Sequence, residues 1–116
     1  MSHKVLLIDD EKDILFVLSE FLELLDQQVF QASSGQEARE ICARELPDII
    51  ITDYEMPDVN GFDLAKQLKL INPEVQIYLL SGYARILTED KLAESGITRV
   101  LDKPFKIEEI QEIFGD

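Results

Sequence analysis

Residues 5–10 read VLLIDD, four apolar residues followed directly by two acids. A short run that is apolar throughout is typical of a parallel strand covered on both faces. Residues 49–53 read IIITD and repeat the pattern, again with an acid at the end of the run. Three more apolar runs, bounded by polar or turn residues, occupy residues 29–32, 75–80 and 97–101. Together with residues 5–8 and 49–52, these runs predict five strands.

Apolar residues recur at helical spacing in four of the stretches between and after these runs. The predicted helical faces are Ile14, Val17, Leu18, Phe21 and Leu25; Ala38, Ile41, Cys42, Glu45 and Leu46; Leu64, Ala65, Leu68 and Ile71; and Ile107, Ile110 and Phe114. Residues 84–95 lack a clear apolar stripe and form the least defined of the predicted helices. Leu15, Phe16 and Leu22 fall outside the first helical face, either as part of a wider buried surface or as a docking surface for a partner.

Local signals agree with this division of the chain. Ser34 followed by Glu37 predicts a capping box, and Asn60 followed by Asp63 a looser form of it. The residues Pro47, Pro73 and Gly96 fall in connections from helix to strand, where helices must end. Strands that alternate with helices through short links indicate right-handed crossovers and a parallel sheet with helices on both faces. The sequence therefore predicts an α/β fold in one domain, residues 1–116.

Composition narrows the possible functions. The chain has 116 residues, one cysteine and a formal net charge of −13. This length is enough for one domain with a single core, and a lone cysteine cannot form an internal disulfide, which favours a cytoplasmic location. No apolar run is long enough to span a bilayer. We therefore expect no membrane partner. The negative charge would repel polyanions, so we also expect no direct binding of nucleic acid, whereas the charge suits a divalent cation.

Polar residues follow four of the predicted strands: Asp9 and Asp10 the first, Asp53 the third, Ser81 the fourth and Lys103 the fifth. Ligands of open parallel sheets bind outside the carboxyl ends of the strands. In a sheet of order 2-1-3-4-5 the first and third strands are neighbours, which would bring the three acids together. Each like-charged pair would cost about 4 kcal/mol at 4 Å and an effective dielectric near 20. Such a cluster needs a cation or a raised pKa to persist, and oxygen ligands favour Mg²⁺ over Zn²⁺.

Four segments spread along the whole chain carry a family resemblance: VLLIDDEKD, DIIITDYEMPDVNGFDL, IYLLSGYA and VLDKPF. Together they resemble the receiver domain of bacterial two-component response regulators. The resemblance implies a five-stranded (βα)5 flavodoxin-like sandwich in the order 2-1-3-4-5. It also implies a signalling domain that catalyses its own phosphorylation and dephosphorylation, with a sensor histidine kinase or phosphotransfer domain as partner.

The same resemblance implies a role for each site residue. Asp53 would accept the phosphoryl group, and Asp9, Asp10, Asp53 and the backbone carbonyl of Glu55 would hold Mg²⁺. Ser81 would be the hydroxyl that turns toward the phosphoryl group, and Lys103 would pair with its charge. Pro57 and Gly61 match the turn after the acceptor, where glycine permits unusual backbone angles, and the Lys103–Pro104 bond would be cis.

Val100 departs from the family pattern, which places Tyr or Phe three residues before the lysine. A valine cannot rotate inward as that ring does, and Tyr83 is the nearest aromatic in sequence that could replace it. We therefore expect the conformational change on phosphorylation to concentrate in residues 81–84 and in the predicted helix over residues 84–95. The fifth predicted strand should stay largely still.

Two other functions compete with this interpretation. A phosphatase of the haloacid dehalogenase type also uses an aspartyl nucleophile, but it needs a second acid two residues later and a substrate cap; here Tyr54 and Glu55 follow Asp53, and nothing indicates a cap. A flavin-binding protein of similar topology needs a phosphate loop rich in Ser, Thr or Gly after the first strand, where this chain has DDEKD. His3 is expected to be exposed and Cys42 to lie in the core.

Overall fold

The strands form one parallel sheet. A computed structural model describes residues 2–82 and 93–114. Its strands are β1 (Lys4–Ile8), β2 (Gln28–Ala32), β3 (Ile49–Asp53), β4 (Gln76–Ser81) and β5 (Arg99–Asp102). They lie in the order β2-β1-β3-β4-β5, and each neighbouring pair is parallel. The predicted fold class and strand order are confirmed.

Helices cover both faces of this sheet. Those that lie wholly in the described residues are α1 (Lys12–Leu24), α2 (Gly35–Glu45), α3 (Gly61–Ile71) and α4 (Ile107–Ile113); residues 93–95 are helical too. The helix predicted over residues 84–95 lies mostly outside the described residues, as does Tyr83. Within residues 2–82 and 93–114, no helix combines the length and apolarity needed to cross a bilayer.

The core has two layers because successive side chains of a strand point to opposite faces. Leu6, Ile8 and Ile50 pack with buried residues of α2 and α3, such as Cys42 and Leu68. On the other face, a second cluster joins the strands to α1 and α4; its members include Val5, Leu7, Ile51, Leu18 and Ile110. Burial on both faces explains the continuous apolar runs of β1 and β3, since neither side of these strands meets water.

Two strands begin later than predicted. Val75 and Ile97 are buried, but they precede β4 and β5 rather than belonging to them. The Val75 amide donates to the carbonyl of Asn72 in the turn after α3. Both side chains reach the core cluster that contains Leu68, so their apolar character reflects core packing and not strand pairing.

The predicted face of α1 is confirmed except at Val17, but it is too narrow: Leu18 is buried, and Ile14, Phe21 and Leu25 are half-buried against the same core cluster. Leu15 and Leu22 are buried with Leu18, whereas Val17 is 56% exposed and Phe16 is 64% exposed. Because nearly every position in this part of the chain is apolar, periodicity alone did not decide whether Leu15 and Leu22 also belong to the buried face; the structure shows that they do. The exposed apolar side chains of α1 are thus Phe16, Val17 and Leu24 rather than Leu15 and Leu22.

The predicted helix caps are present, with one difference. Ser34 Oγ accepts the Glu37 amide at 3.1 Å, but the Glu37 carboxylate returns to the amide of Ser33, not Ser34. In a regular capping box the Glu37 carboxylate would accept the amide of the N-cap residue, Ser34; here it accepts the amide one residue earlier. At α3, Asn60 Oδ1 accepts the Asp63 amide at 2.9 Å, and Asn60 Nδ2 donates to the Asp63 carboxylate.

The two remaining expectations have different outcomes. Cys42 is fully buried in the core, as predicted. His3 is half-buried rather than exposed. Its backbone amide donates to Gln27 Oε1, and its ring lies 6.2 Å from the ring of Phe114.

Candidate functional site

The carboxyl ends of four strands converge at one edge of the sheet. Asp9 follows β1, Asp53 is the last residue of β3, Ser81 is the last residue of β4, and Lys103 follows β5. The pairing of β1 with β3 places Ile8 beside Thr52, so the acids that follow these two residues become neighbours. The strand order thus brings together residues more than forty positions apart in the chain.

Three carboxylates form a cluster at this edge. One oxygen from each of Asp9, Asp10 and Asp53 lies within 4.8 Å of the others, so the three could hold a metal ion together. Asp9 and Asp53 are 2% and 6% exposed, whereas Asp10 is exposed. The predicted cluster is therefore present, with two buried carboxylates and one at the surface.

The Asp9 carboxylate is only half satisfied. Its Oδ1 accepts the amide of Glu11 at 2.9 Å, while Oδ2 is buried and, within the described part of the chain, accepts no hydrogen bond. A buried oxygen without a donor is unfavourable, and a cation at that position would compensate it. This atom fits the hard oxygen ligand that Mg²⁺ prefers.

Lys103 supplies positive charge to the same cluster. Its Nζ donates to Asp53 Oδ1 at 2.9 Å and lies 4.0 Å from Asp9 Oδ2. The backbone amide of Lys103 donates to the carbonyl of Ser81 at 3.0 Å, which ties the end of β5 to the end of β4. The Lys103–Pro104 bond is cis, as predicted.

Burial and charge shift two pKa values in the site. Burial raises the pKa of Asp9 to about 6, and the Asp53 carboxylate acts in the same direction, against the Glu11 amide and Lys103. Burial alone would lower the pKa of Lys103, but the hydrogen bond and charge of Asp53, with the charge of Asp9, outweigh it and raise that pKa. The ammonium group is therefore held in its charged form beside the acids.

A polar cavity of about 400 Å³ opens over these residues. Its lining consists of Asp10, Glu11, Asp53, Tyr54, Glu55, Ser81, Gly82 and Lys103. Glu11, Tyr54 and Gly82 were not predicted as site residues, although each is adjacent in sequence to one that was. Ser81 is buried at the wall of the cavity, and Tyr54 packs edge-on against Phe62 with ring centroids 5.4 Å apart.

Gly61 is required for a different reason than predicted. It has no positive φ, but a Cβ there would lie 2.7 Å from Leu79 Cδ1 and 3.0 Å from the Tyr54 Cα. Glycine therefore allows the start of α3 to approach β4 and the end of β3 closely. Its amide donates to the Tyr54 carbonyl at 2.7 Å and closes the base of the loop from β3 to α3.

Val100 lies in the middle of β5, half-buried, and packs against the core cluster shared with α2 and α3. Of the residues expected to move on phosphorylation, Ser81 and Gly82 are described, whereas residues 83 and 84 lie outside the described ranges.

A parallel sheet in this order, with acids at the ends of its first and third strands, defines a flavodoxin-like domain of the CheY type. Chemotaxis response regulator CheY4 of Vibrio cholerae has this fold, with a TM-score of 0.89, 27% identity and coverage of 98% of this chain and 97% of that one. Residues 5–114 match the family model of the response regulator receiver domain. The chain belongs to this family of two-component signalling domains.

Relatives of the chain differ in length. It is 30% identical to sporulation initiation phosphotransferase F of Bacillus subtilis, over 97% of this chain and 90% of that protein. It is 34% identical to the DNA-binding transcriptional regulator NtrC of Azospirillum brasilense, but spans only 23% of that protein against 94% of its own length. A solved response regulator from Burkholderia pseudomallei, with a phosphorylated aspartic acid, calcium ion and citrate, has a TM-score of 0.84 and 30% identity, covering 92% of this chain and 63% of that one.

Proposed function

We propose that this domain accepts a phosphoryl group on Asp53 from a phosphohistidine of a sensor histidine kinase or phosphotransfer domain, in a Mg²⁺-dependent reaction. The observation that carries the proposal is the buried Asp9 oxygen without a donor, in a cluster that also contains Asp53. The Burkholderia pseudomallei relative, whose structure has a phosphorylated aspartic acid and a calcium ion, supports the same chemistry for this chain.

Asp53 is the nucleophile of the proposed reaction. One of its carboxylate oxygens attacks the phosphorus of the phosphohistidine, the P–N bond breaks, and the imidazole nitrogen leaves with the bond's electron pair and takes up a proton. Hydrolysis of the resulting acyl phosphate, by attack of water on phosphorus, returns the carboxylate and releases inorganic phosphate. The Lys103 ammonium, 2.9 Å from Asp53 Oδ1, would pair with the phosphoryl oxygens as they arrive.

Asp9, Asp10, Asp53 and the carbonyl of Glu55 would hold the metal. Mg²⁺ bound there would neutralise charge on the carboxylates and the transferred group, which is how most phosphoryl transfers are assisted. Ser81 at the cavity wall would donate a hydrogen bond to the phosphoryl group. The contacts of Ser81 and Lys103 with that group are what would favour the signalling conformation.

The exposed residues Phe16 and Val17 of α1 would contribute apolar contacts with the partner. Phe16 borders a groove that is also lined by Ala32 and Ser33. Ala32 is the last residue of β2 and Ser33 follows it, so the groove lies at the same edge of the sheet as the acids. A partner seated here would have its phosphohistidine near the carboxyl ends of the strands.

Incubation with acetyl phosphate and Mg²⁺, followed by intact mass measurement, tests the proposed function. We expect a gain of one phosphoryl group that is lost on treatment with hydroxylamine, as an acyl phosphate requires. Omission of Mg²⁺ with excess chelator should remove the gain. Sustained catalytic hydrolysis of phosphomonoesters would contradict the proposal and favour a phosphatase of the haloacid dehalogenase type, which also passes through an aspartyl phosphate.

Asp10 provides a separate test of the metal site. The Asp10→Ala variant should bind Mg²⁺ about tenfold more weakly or worse, because an exposed carboxylate is lost from the cluster while Asp9 and Asp53 remain. Calorimetric titration at neutral pH measures the change. Glu20→Ala, which removes an exposed acid from α1, is the charge-matched control. Equal affinities for the Asp10→Ala and Glu20→Ala variants would remove Asp10 from the site.

A further inference from the structure

Asp58 links two elements that are distant in the sequence. Its Oδ1 accepts the amide of Gly35 at 2.8 Å, and its Oδ2 accepts the amide of Gln36 at 3.0 Å. Both amides belong to the first turn of α2, whose N-cap, Ser34, already accepts the amide of Glu37. The N-cap of α2 is therefore Ser34 and not Asp58. Asp58, in the loop that follows β3, supplies two further acceptors to the same end of the helix.

That loop is also held by backbone pairing at its base and by Met56 and Val59, which pack against the core cluster. The Gly61 amide donates to the Tyr54 carbonyl at 2.7 Å, and Glu55 pairs with Asn60 in an antiparallel bridge. Asp58 lies between these paired residues, at the outer end of the loop. The two hydrogen bonds to α2 thus supply the polar contacts that fix the outer end of the loop.

Packing and charge support the same contact. A Cβ at Gly35 would collide with Val59 Cγ1 and lie 3.1 Å from Asp58 Oδ1, so glycine allows the loop to rest directly on the helix. The Gly35 hydrogen bond lowers the pKa of Asp58, and the Gln36 amide and the Arg39 charge act in the same direction, against burial. Asp58 is therefore ionised at neutral pH, the form that accepts both amides best.

We propose that Asp58 is a positioning residue for the metal site: its hydrogen bonds to α2 hold in place the loop that carries Glu55. The inference rests on the proposed function, in which the Glu55 carbonyl is a metal ligand. Residues that orient metal ligands from outside the coordination sphere commonly affect affinity by about 10- to 100-fold. Asp58 is exposed and acts from three residues away, so we expect the lower end of that range.

Mg²⁺ titration of variants tests the proposal. In 0.5 M salt, which screens simple charge effects, Asp58→Ala should bind Mg²⁺ about tenfold more weakly than the unsubstituted protein. Asp58→Asn, which keeps one side-chain oxygen as acceptor, should fall between the two. Glu40→Ala removes an exposed charge from the same helix and the hydrogen bond from Gln36 Nε2 at 3.4 Å, but neither of the backbone bonds to Asp58, and it should bind like the unsubstituted protein.

Hydrogen exchange provides a second readout, because coupling between two sites is reciprocal. Mg²⁺ should slow exchange at the Gly35 and Gln36 amides of the unsubstituted protein but not of Asp58→Ala. Affinity of Asp58→Ala within twofold of the unsubstituted protein, or equal losses in Asp58→Ala and Asp58→Asn, would overturn the positioning role. If the unsubstituted protein bound no Mg²⁺ at all, the proposed function would fail instead, so the two failures are distinguishable.

Discussion

Asp53→Asn should abolish phosphorylation by acetyl phosphate, reducing the covalent product below detection. An amide oxygen is too weak a nucleophile to attack phosphorus, and the isosteric side chain preserves the packing at the end of β3, where Asp53 is 6% exposed. Intact mass measurement checks the result, and circular dichroism verifies that the variant is folded.

Asp102 offers a matched control for this substitution. It lies at the same edge of the sheet, as the last residue of β5, and is exposed. Asp102→Asn should be phosphorylated like the unsubstituted protein. A phosphoryl group on Asp53→Asn that is labile to hydroxylamine would show that another carboxylate is the acceptor.

Asp9→Asn should stabilise the metal-free protein at neutral pH. The pKa of Asp9 is raised from 3.8 to about 6 in the folded state, so the folded protein binds this proton more tightly than the unfolded chain does. Ionised Asp9 therefore lowers the free energy of unfolding at pH 7, by about 2–3 kcal/mol. Asn keeps an oxygen for the Glu11 amide and removes the buried charge.

The pH dependence follows from the same shift. For the unsubstituted protein in chelator, the contribution of Asp9 should raise the free energy of unfolding as pH falls from 7 through 6 toward 4. Urea unfolding at pH 7.5 and pH 5 measures the free energy of unfolding at each pH. Asp13→Asn, which removes an exposed acid of α1, is the control for the change in net charge. Asp9→Asn should show a smaller difference between the two pH values and little stabilisation by added Mg²⁺. A variant that is less stable than the unsubstituted protein at pH 7.5 would contradict this account.

Much of the site follows from sequence because it is built from strand ends. Asp9, Asp53 and Ser81 each follow or close an apolar run, and parallel strands carry such residues to one edge whatever the details of the helices. The neighbouring position of β1 and β3, however, depends on strand order. That order came from the family resemblance and not from the apolar pattern, which is compatible with other arrangements.

The features that sequence reasoning missed depend on contacts between distant segments. No local signal connects Asp58 to Gly35, since the contact depends on how the loop after β3 lies against α2. Gly61 was expected to have unusual backbone angles, whereas the structure requires it for close approach to Tyr54 and Leu79. In α1, the excess of apolar residues concealed the width of the buried face and the exposure of Val17, because an amphipathic pattern is informative only when polar residues mark the opposite face.

Cys42 gives the protein a built-in reporter of its own opening. It is the chain's single cysteine, it is a fully buried residue of α2, and burial raises the pKa of its thiol. A thiol reagent can therefore modify it only in molecules in which α2 has moved away from the sheet. The modification rate under native conditions measures how often that happens, and it does so on the face of the sheet where the Asp58 loop rests. The dependence of that rate on urea separates local opening of α2 from global unfolding, because global unfolding exposes much more surface, and no label has to be introduced.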